Sequence, residues 1–215
     1  MSRPVIVAVG GFTSNSGKTT LVCELLRALR GWEAIKMTRG HYRSCGRDPH
    51  ACCVSDLLGA EPRVLSGREA TYAEGKDTGR YWDAGAANVH WVVATDTQIG
   101  PGFAAALARV RASGVLVEGN SFLEHTAADF TIMVARPDSL KIKPTARRAL
   151  SKTSALYLSQ FGEDAALPDA EAVLRGLRDA RGEGDLPASL PVYTREDIAA
   201  LVRDVKNAVG HKSAF

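Results

Sequence analysis

The residues best suited to chemistry lie in one run, Gly10-Gly11-Phe12-Thr13-Ser14-Asn15-Ser16-Gly17-Lys18-Thr19-Thr20. Small residues let backbone N–H groups close around an anion, and a helix starting at Lys18 adds unpaired N–H groups and a positive dipole end. Gly11, Thr13, Asn15, Ser16 and Gly17 would wrap the phosphates of a nucleotide, ATP or GTP. Lys18 would reach the β- and γ-phosphates, Thr19 would ligate Mg²⁺, and Thr20 would touch the α-phosphate. The spacing departs from G-x-x-x-x-G-K-[ST]. Five residues separate Gly11 from Gly17, and Phe12 stands where the first glycine is usual.

Two acids end apolar runs. Val115-Leu116-Val117-Glu118-Gly119 puts a carboxylate at the carboxyl end of a buried strand, where ligands of parallel sheets bind. Glu118 could hold Mg²⁺ or act as a base, or simply face solvent. Asp96 ends the run VHWVVATD in the same manner and is a second candidate for the metal. Lys36 follows the apolar residues Ala34 and Ile35 and could meet a phosphate or carboxylate. Lys76, Asp77 and Arg80 form either a substrate contact or an ordinary surface charge cluster. The basic residues Lys141, Lys143, Arg147, Arg148 and Lys152 leave the same two readings open.

A third cluster is His41, Cys45, His50, Cys52 and Cys53. Its spacing fits a zinc finger poorly, because no C-x-x-C is present. Simple packing of a short helix, a metal site and a reactive thiol all remain open, with packing favoured. Arg43 and Arg47 in the same stretch suit an anionic second substrate. Cys23, among leucines, reads as core.

These groups need a scaffold. Pro4-Val5-Ile6-Val7-Ala8-Val9 is apolar almost throughout and reads as a strand buried on both faces. TTLVCELLRALRG has leucines at a helical period and stops at Gly31. Strands are expected at 33–37, 89–96, 115–119, 130–135, 154–159 and 191–193. Helices are expected at 103–112, 144–152, 170–181 and 195–209. Strands alternating with helices imply an α/β fold, with a mainly parallel sheet of about seven strands and helices on both faces. One domain spans 1–215, with an irregular elaboration at 39–88.

Composition narrows the function. The chain has 215 residues, 45% hydrophobic and 24% charged, with a net charge of +3. That is ordinary globular usage, too mildly basic to argue nucleic-acid binding. No apolar run is long enough for a membrane span or a signal-peptide core, and the few cysteines suit a reducing compartment. A cytoplasmic protein is expected.

The phosphate loop with VLVEG resembles the P-loop NTPase class that includes dethiobiotin synthetase and the molybdopterin-guanine dinucleotide biosynthesis protein B family. The five-residue glycine spacing is similar to the former. Ala34-Ile35-Lys36 with His41, and Glu74-Gly75-Lys76-Asp77-Thr78-Gly79-Arg80 with Ala84-Gly85-Ala86 and Val89, are similar to the latter, as is PVYTREDIAALV. The resemblance implies a three-layer P-loop fold. It implies that Gly17, Lys18, Thr19 and Thr20 bind nucleotide phosphates and that Glu118 is the Mg²⁺-linked acid. Lys36 would stand at the substrate end of the second strand, with Lys76, Asp77 and Arg80 lining the cleft beside it. The protein would be a Mg²⁺-dependent adaptor in molybdenum-cofactor maturation. The alternatives are an ATP-dependent small-molecule kinase or ligase like dethiobiotin synthetase and a nucleotide-gated binding module with negligible turnover. Its partner would be a molybdenum-cofactor nucleotidyltransferase or an anionic small molecule, and a homodimer is left open. No Asn-Lys-x-Asp follows SALYLS, so nothing selects GTP over ATP.

Overall fold

The structure is a computed structural model that describes residues 3–40, 54–139, 141–159, 187 and 189–210. Arg43, Arg47, the cluster from His41 to Cys53 and the helix expected at 170–181 lie outside the described residues.

Strand β1 (Val5–Gly11) sits inside one eight-stranded sheet. With it run β2 (Glu33–Arg39), β3 (Arg63–Ser66), β4 (Val89–Ala94), β5 (Gly114–Glu118), β6 (Phe130–Ala135), β7 (Ala155–Leu158) and β8 (Val192–Tyr193). The spatial order is β3-β4-β2-β5-β1-β6-β7-β8. Every pairing is parallel except β3 with β4. β1 and β5 are buried on both faces, which is why they read as continuous apolar runs. The eighth strand is β3, absent from the sequence reading. It is a four-residue, half-exposed edge strand between Pro62 and Gly67, with no alternation to betray it.

Helices close both faces. Helix α1 (Lys18–Ala28) and α3 (Asp77–Asp83) pack with α6 (Ile198–Gly210) over one face, through Leu21, Leu25, Tyr81, Leu201 and Val205. On the other face α4 (Ile99–Leu107) and α5 (Pro144–Arg147) carry Phe103 and Ala146 into a second core, joined by Phe122 and Leu150 from short 3-10 turns. A short α2 (Arg68–Thr71) precedes α3. Several boundaries differ from the sequence reading, and two helices differ most. α4 starts at Ile99, not 103, because a capping box between Thr95 and Gln98 launches the preceding turn. The helix expected at 144–152 is only α5 followed by a 3-10 turn at Leu150–Lys152.

Gly79 lets α3 lie against its own approach. A Cβ there would fall 2.0 Å from the carbonyl oxygen of Ala73, and backbone cannot swing away as a side chain can. Alanine is the better helix former by about 1 kcal/mol. Gly79→Ala is nonetheless expected to destabilise the protein by about 1–3 kcal/mol, the usual cost of overpacking. Urea unfolding checks the sign.

Candidate functional site

The chain leaves β1 through the loop between Phe12 and Gly17 and enters α1. Phe12 explains the irregular glycine spacing. Its ring is 1% exposed and belongs to the core. Its N–H donates to the Val134 carbonyl at 3.0 Å, and its own carbonyl accepts the Lys143 N–H at 2.9 Å. The extra residue therefore anchors the loop, and the close approach falls to Gly11. A Cβ on Gly11 would sit 2.4 Å from Ser16 Oγ and 2.8 Å from Lys18 Cδ. Asn15 (φ 57°) and Gly17 (φ 88°) take left-handed conformations, which turn the backbone into the helix. The Asn120 side chain locks the loop base, accepting from Gly11 N–H at 2.8 Å and donating to Gly11 carbonyl at 3.0 Å.

Around the carboxyl end of β5 five side chains meet. Lys36 Nζ donates to Asp77 Oδ2 and to Glu118 Oε1, each at 2.5 Å. Thr19 Oγ1 lies 2.9 Å from Glu118 Oε2 and 3.1 Å from Asp77 Oδ1. The buried Tyr81 hydroxyl donates to Glu118 Oε2. Burial works against the Lys36 charge, yet Glu118 and Asp77 outweigh it and hold its pKa above the usual lysine value. Burial likewise opposes ionisation of Asp77, but Lys36 and Thr19 hold its pKa below the usual carboxylate value. The Asp77 contribution to stability is therefore present above the ordinary carboxylate pKa and lost as pH falls through its lowered one. That of Lys36 is lost only as pH rises through its raised value. The pair is thus intact across neutral pH. Burial, then the Glu118 charge, pushes the Tyr81 phenol well above its usual pKa, so it stays a donor.

Lys18 Nζ reaches back to the Thr13 carbonyl at 3.2 Å and Ser16 Oγ at 3.4 Å. Burial lowers its pKa, and Glu118 only partly offsets this. Arg80 Nη2 donates to Thr20 Oγ1 at 3.2 Å. Lys18, Thr19, Thr20, Lys36, Asp77, Arg80 and Glu118 line one open cleft of about 890 Å³.

The structure therefore brings together Asn15, Ser16, Gly17, Lys18, Thr19, Thr20, Lys36, Asp77, Arg80 and Glu118. It does not bring Asp96 to the Thr19 hydroxyl. That carboxylate is 73% exposed and pairs with Arg39 at 3.2 Å. Lys76 is exposed at the start of α3, away from the cleft lining. Sequence reasoning missed Tyr81, Asn120 and Arg39, and left Lys143 within a diffuse basic patch. A polar residue directly after the Glu118-Gly119 strand end was the signal for Asn120. Tyr81 carried none, since an aromatic on a helix reads as core.

The donor set suits a hard cation. One hydroxyl and two carboxylates converge, and Mg²⁺ commonly takes one or two carboxylates plus substrate phosphates and waters. No group of three or more His, Cys, Asp or Glu that could hold a metal occurs among the described residues. An all-protein metal cage is thus not found there. Among the described residues no helix is long and apolar enough to cross a membrane.

No protein-family model and no curated protein sequence matches the chain. Solved structures do. HypB from Helicobacter pylori, in a crystal structure with nickel, superposes with TM-score 0.52 at 13% identity, covering 98% of this chain and 87% of that one. The chain has the P-loop NTPase fold. A plasmid partition protein from Borrelia burgdorferi matches at TM-score 0.42 and 7% identity, covering 97% of each chain. A second from Borrelia burgdorferi B31, bound to AMPPNP, matches at TM-score 0.39 and 9% identity, covering 98% and 99%.

Proposed function

We propose that the cleft binds a nucleoside triphosphate with Mg²⁺ and supports its hydrolysis or the transfer of its terminal phosphoryl group. The observation that carries this reading is the convergence of Thr19, Asp77 and Glu118 oxygens beside the Lys18 loop. Charge supports it too. Six basic side chains and two acidic ones line the cleft, an excess suited to a polyanion. Mg²⁺, when bound, would neutralise charge on the phosphates and orient them. Thr19 and Glu118 would hold it, with Asp77 alongside. Lys18 would draw charge from the terminal phosphoryl oxygens, and Arg80 would steady Thr20 at the start of α1. Lys36, freed from one carboxylate, would meet the group that attacks or accepts.

The finer reading is an adaptor similar to the molybdopterin-guanine dinucleotide biosynthesis protein B family. Asp77 and Arg80, from the segment that carries that resemblance, both reach the phosphate loop, which supports it. An adaptor would turn over slowly until a partner is added, whereas a small-molecule kinase would respond to its acceptor.

Thermal unfolding with ATP, GTP and their non-hydrolysable analogues, with and without Mg²⁺, tests the coarser reading. At a ligand concentration 100 times Kd, stabilisation of about 2.7 kcal/mol is expected. No Mg²⁺-dependent shift with any triphosphate would remove the proposal.

A further inference from the structure

We propose that Lys143, which lines the same cleft as Lys18, is a second lysine that contacts the terminal phosphoryl group of the bound triphosphate; this rests on the nucleotide reading above. Lys143 lies just before α5, and its backbone N–H is tied to the Phe12 carbonyl at 2.9 Å. It is thus fixed to the same loop that would hold the phosphates. Its side chain lines the main cleft and also a neighbouring hollow of about 510 Å³ beside Thr13 and Ser14.

The charges around it point to an anion. The groups that act on its ammonium are Lys18 of α1, Arg39 and Lys36 of β2, and Glu118 of β5. Three of the four are cations, and Glu118 is already engaged by Lys36. The other basic residues of the cleft have partners. Lys36 holds two carboxylates, Arg39 pairs with Asp96, Arg148 with Glu124, Arg80 with Thr20, and Lys18 with loop oxygens. Among the described residues, no hydrogen bond or ion pair engages the Lys143 ammonium. Burial first, then Lys18 and Arg39, lowers its pKa to about 8. A half-buried cation whose strongest charged neighbour is another cation is unfavourable until an anion sits between them. A terminal phosphoryl group held by Lys18 would do so, and its charge would keep Lys143 protonated to higher pH than in the free protein.

The test compares affinities by calorimetry for ADP with AMPPNP and for GDP with GMPPNP, each with Mg²⁺, using whichever base binds. Lys143→Gln is expected to weaken the triphosphate analogue by about tenfold and the diphosphate by less than about twofold. Lys143→Arg should keep wild-type affinity at neutral pH. Above pH 8 the wild type should lose triphosphate affinity more steeply than Lys143→Arg, because only the lysine must take up a proton to bind. Equal losses for diphosphate and triphosphate, or pH profiles that coincide, would overturn the proposal and leave the side chain a cover for the loop. If Lys18→Ala abolishes binding while Lys143→Gln changes nothing, Lys143 alone is excluded. If the wild type binds none of the four nucleotides, the nucleotide reading fails and this one with it.

Discussion

Lys18→Ala is expected to weaken triphosphate binding by about 100-fold, roughly 2.8 kcal/mol, without destabilising the nucleotide-free protein. The two halves of that expectation have separate causes. Affinity falls because Lys18 is the ammonium at the loop and helix junction, and charge-assisted bonds to phosphate are among the strong ones. Stability does not fall because burial already lowers the Lys18 pKa. A lysine whose pKa is lowered by folding opposes the fold below that pKa, so its removal relieves a cost. Isothermal titration gives the first quantity, and thermal unfolding without ligand gives the second. Wild-type affinity in the mutant would remove the phosphate-loop reading. A large fall in the nucleotide-free midpoint would show that Lys18 holds the loop through Thr13 and Ser16.

Glu118→Gln should do the reverse, with a cost in both stability and turnover. Glu118 is 3% exposed and holds Lys36, Thr19 and Tyr81 together. Breaking a buried ion pair costs about 3–5 kcal/mol when the remaining charge is orphaned. Here Asp77 still faces Lys36, so a loss of about 2–3 kcal/mol is expected, below that range. Mg²⁺-dependent turnover should drop at least about tenfold, or 1.4 kcal/mol in the barrier, with triphosphate affinity largely kept. The double variant Glu118→Gln/Lys36→Met separates the effects. It removes the undercompensated cation and should recover much of the stability while turnover stays low. Unchanged turnover in a folded Glu118→Gln would reduce Glu118 to a purely structural anchor of Lys36 and Tyr81.

Local sequence alone determined a good deal. The apolar run of β1, the small-residue loop and the leucine period of α1 are contiguous, and each is stabilised by interactions within a few residues or by simple burial. The phosphate loop was therefore legible, as were the parallel strands β5 and β6, whose burial on both faces leaves them almost wholly apolar. Glu118 was found because an acid is conspicuous where such a run stops. Tertiary structure decided what those signals leave open. Phe12 could be read as a misplaced glycine until the sheet showed it buried against the second core. Lys36 and Asp77 stand far apart in sequence, and either could have been a solvated surface charge. Their 2.5 Å contact exists because β2 lies beside β5 while α3 packs against α1, an order that no local pattern encodes. Asp96 ends its strand much as Glu118 does. Just past the end of β4, two strand positions from β5, its carboxylate meets Arg39 and solvent, and not the Thr19 hydroxyl. Chemistry at a sheet edge depends on which strand ends are neighbours, and long-range packing sets that order.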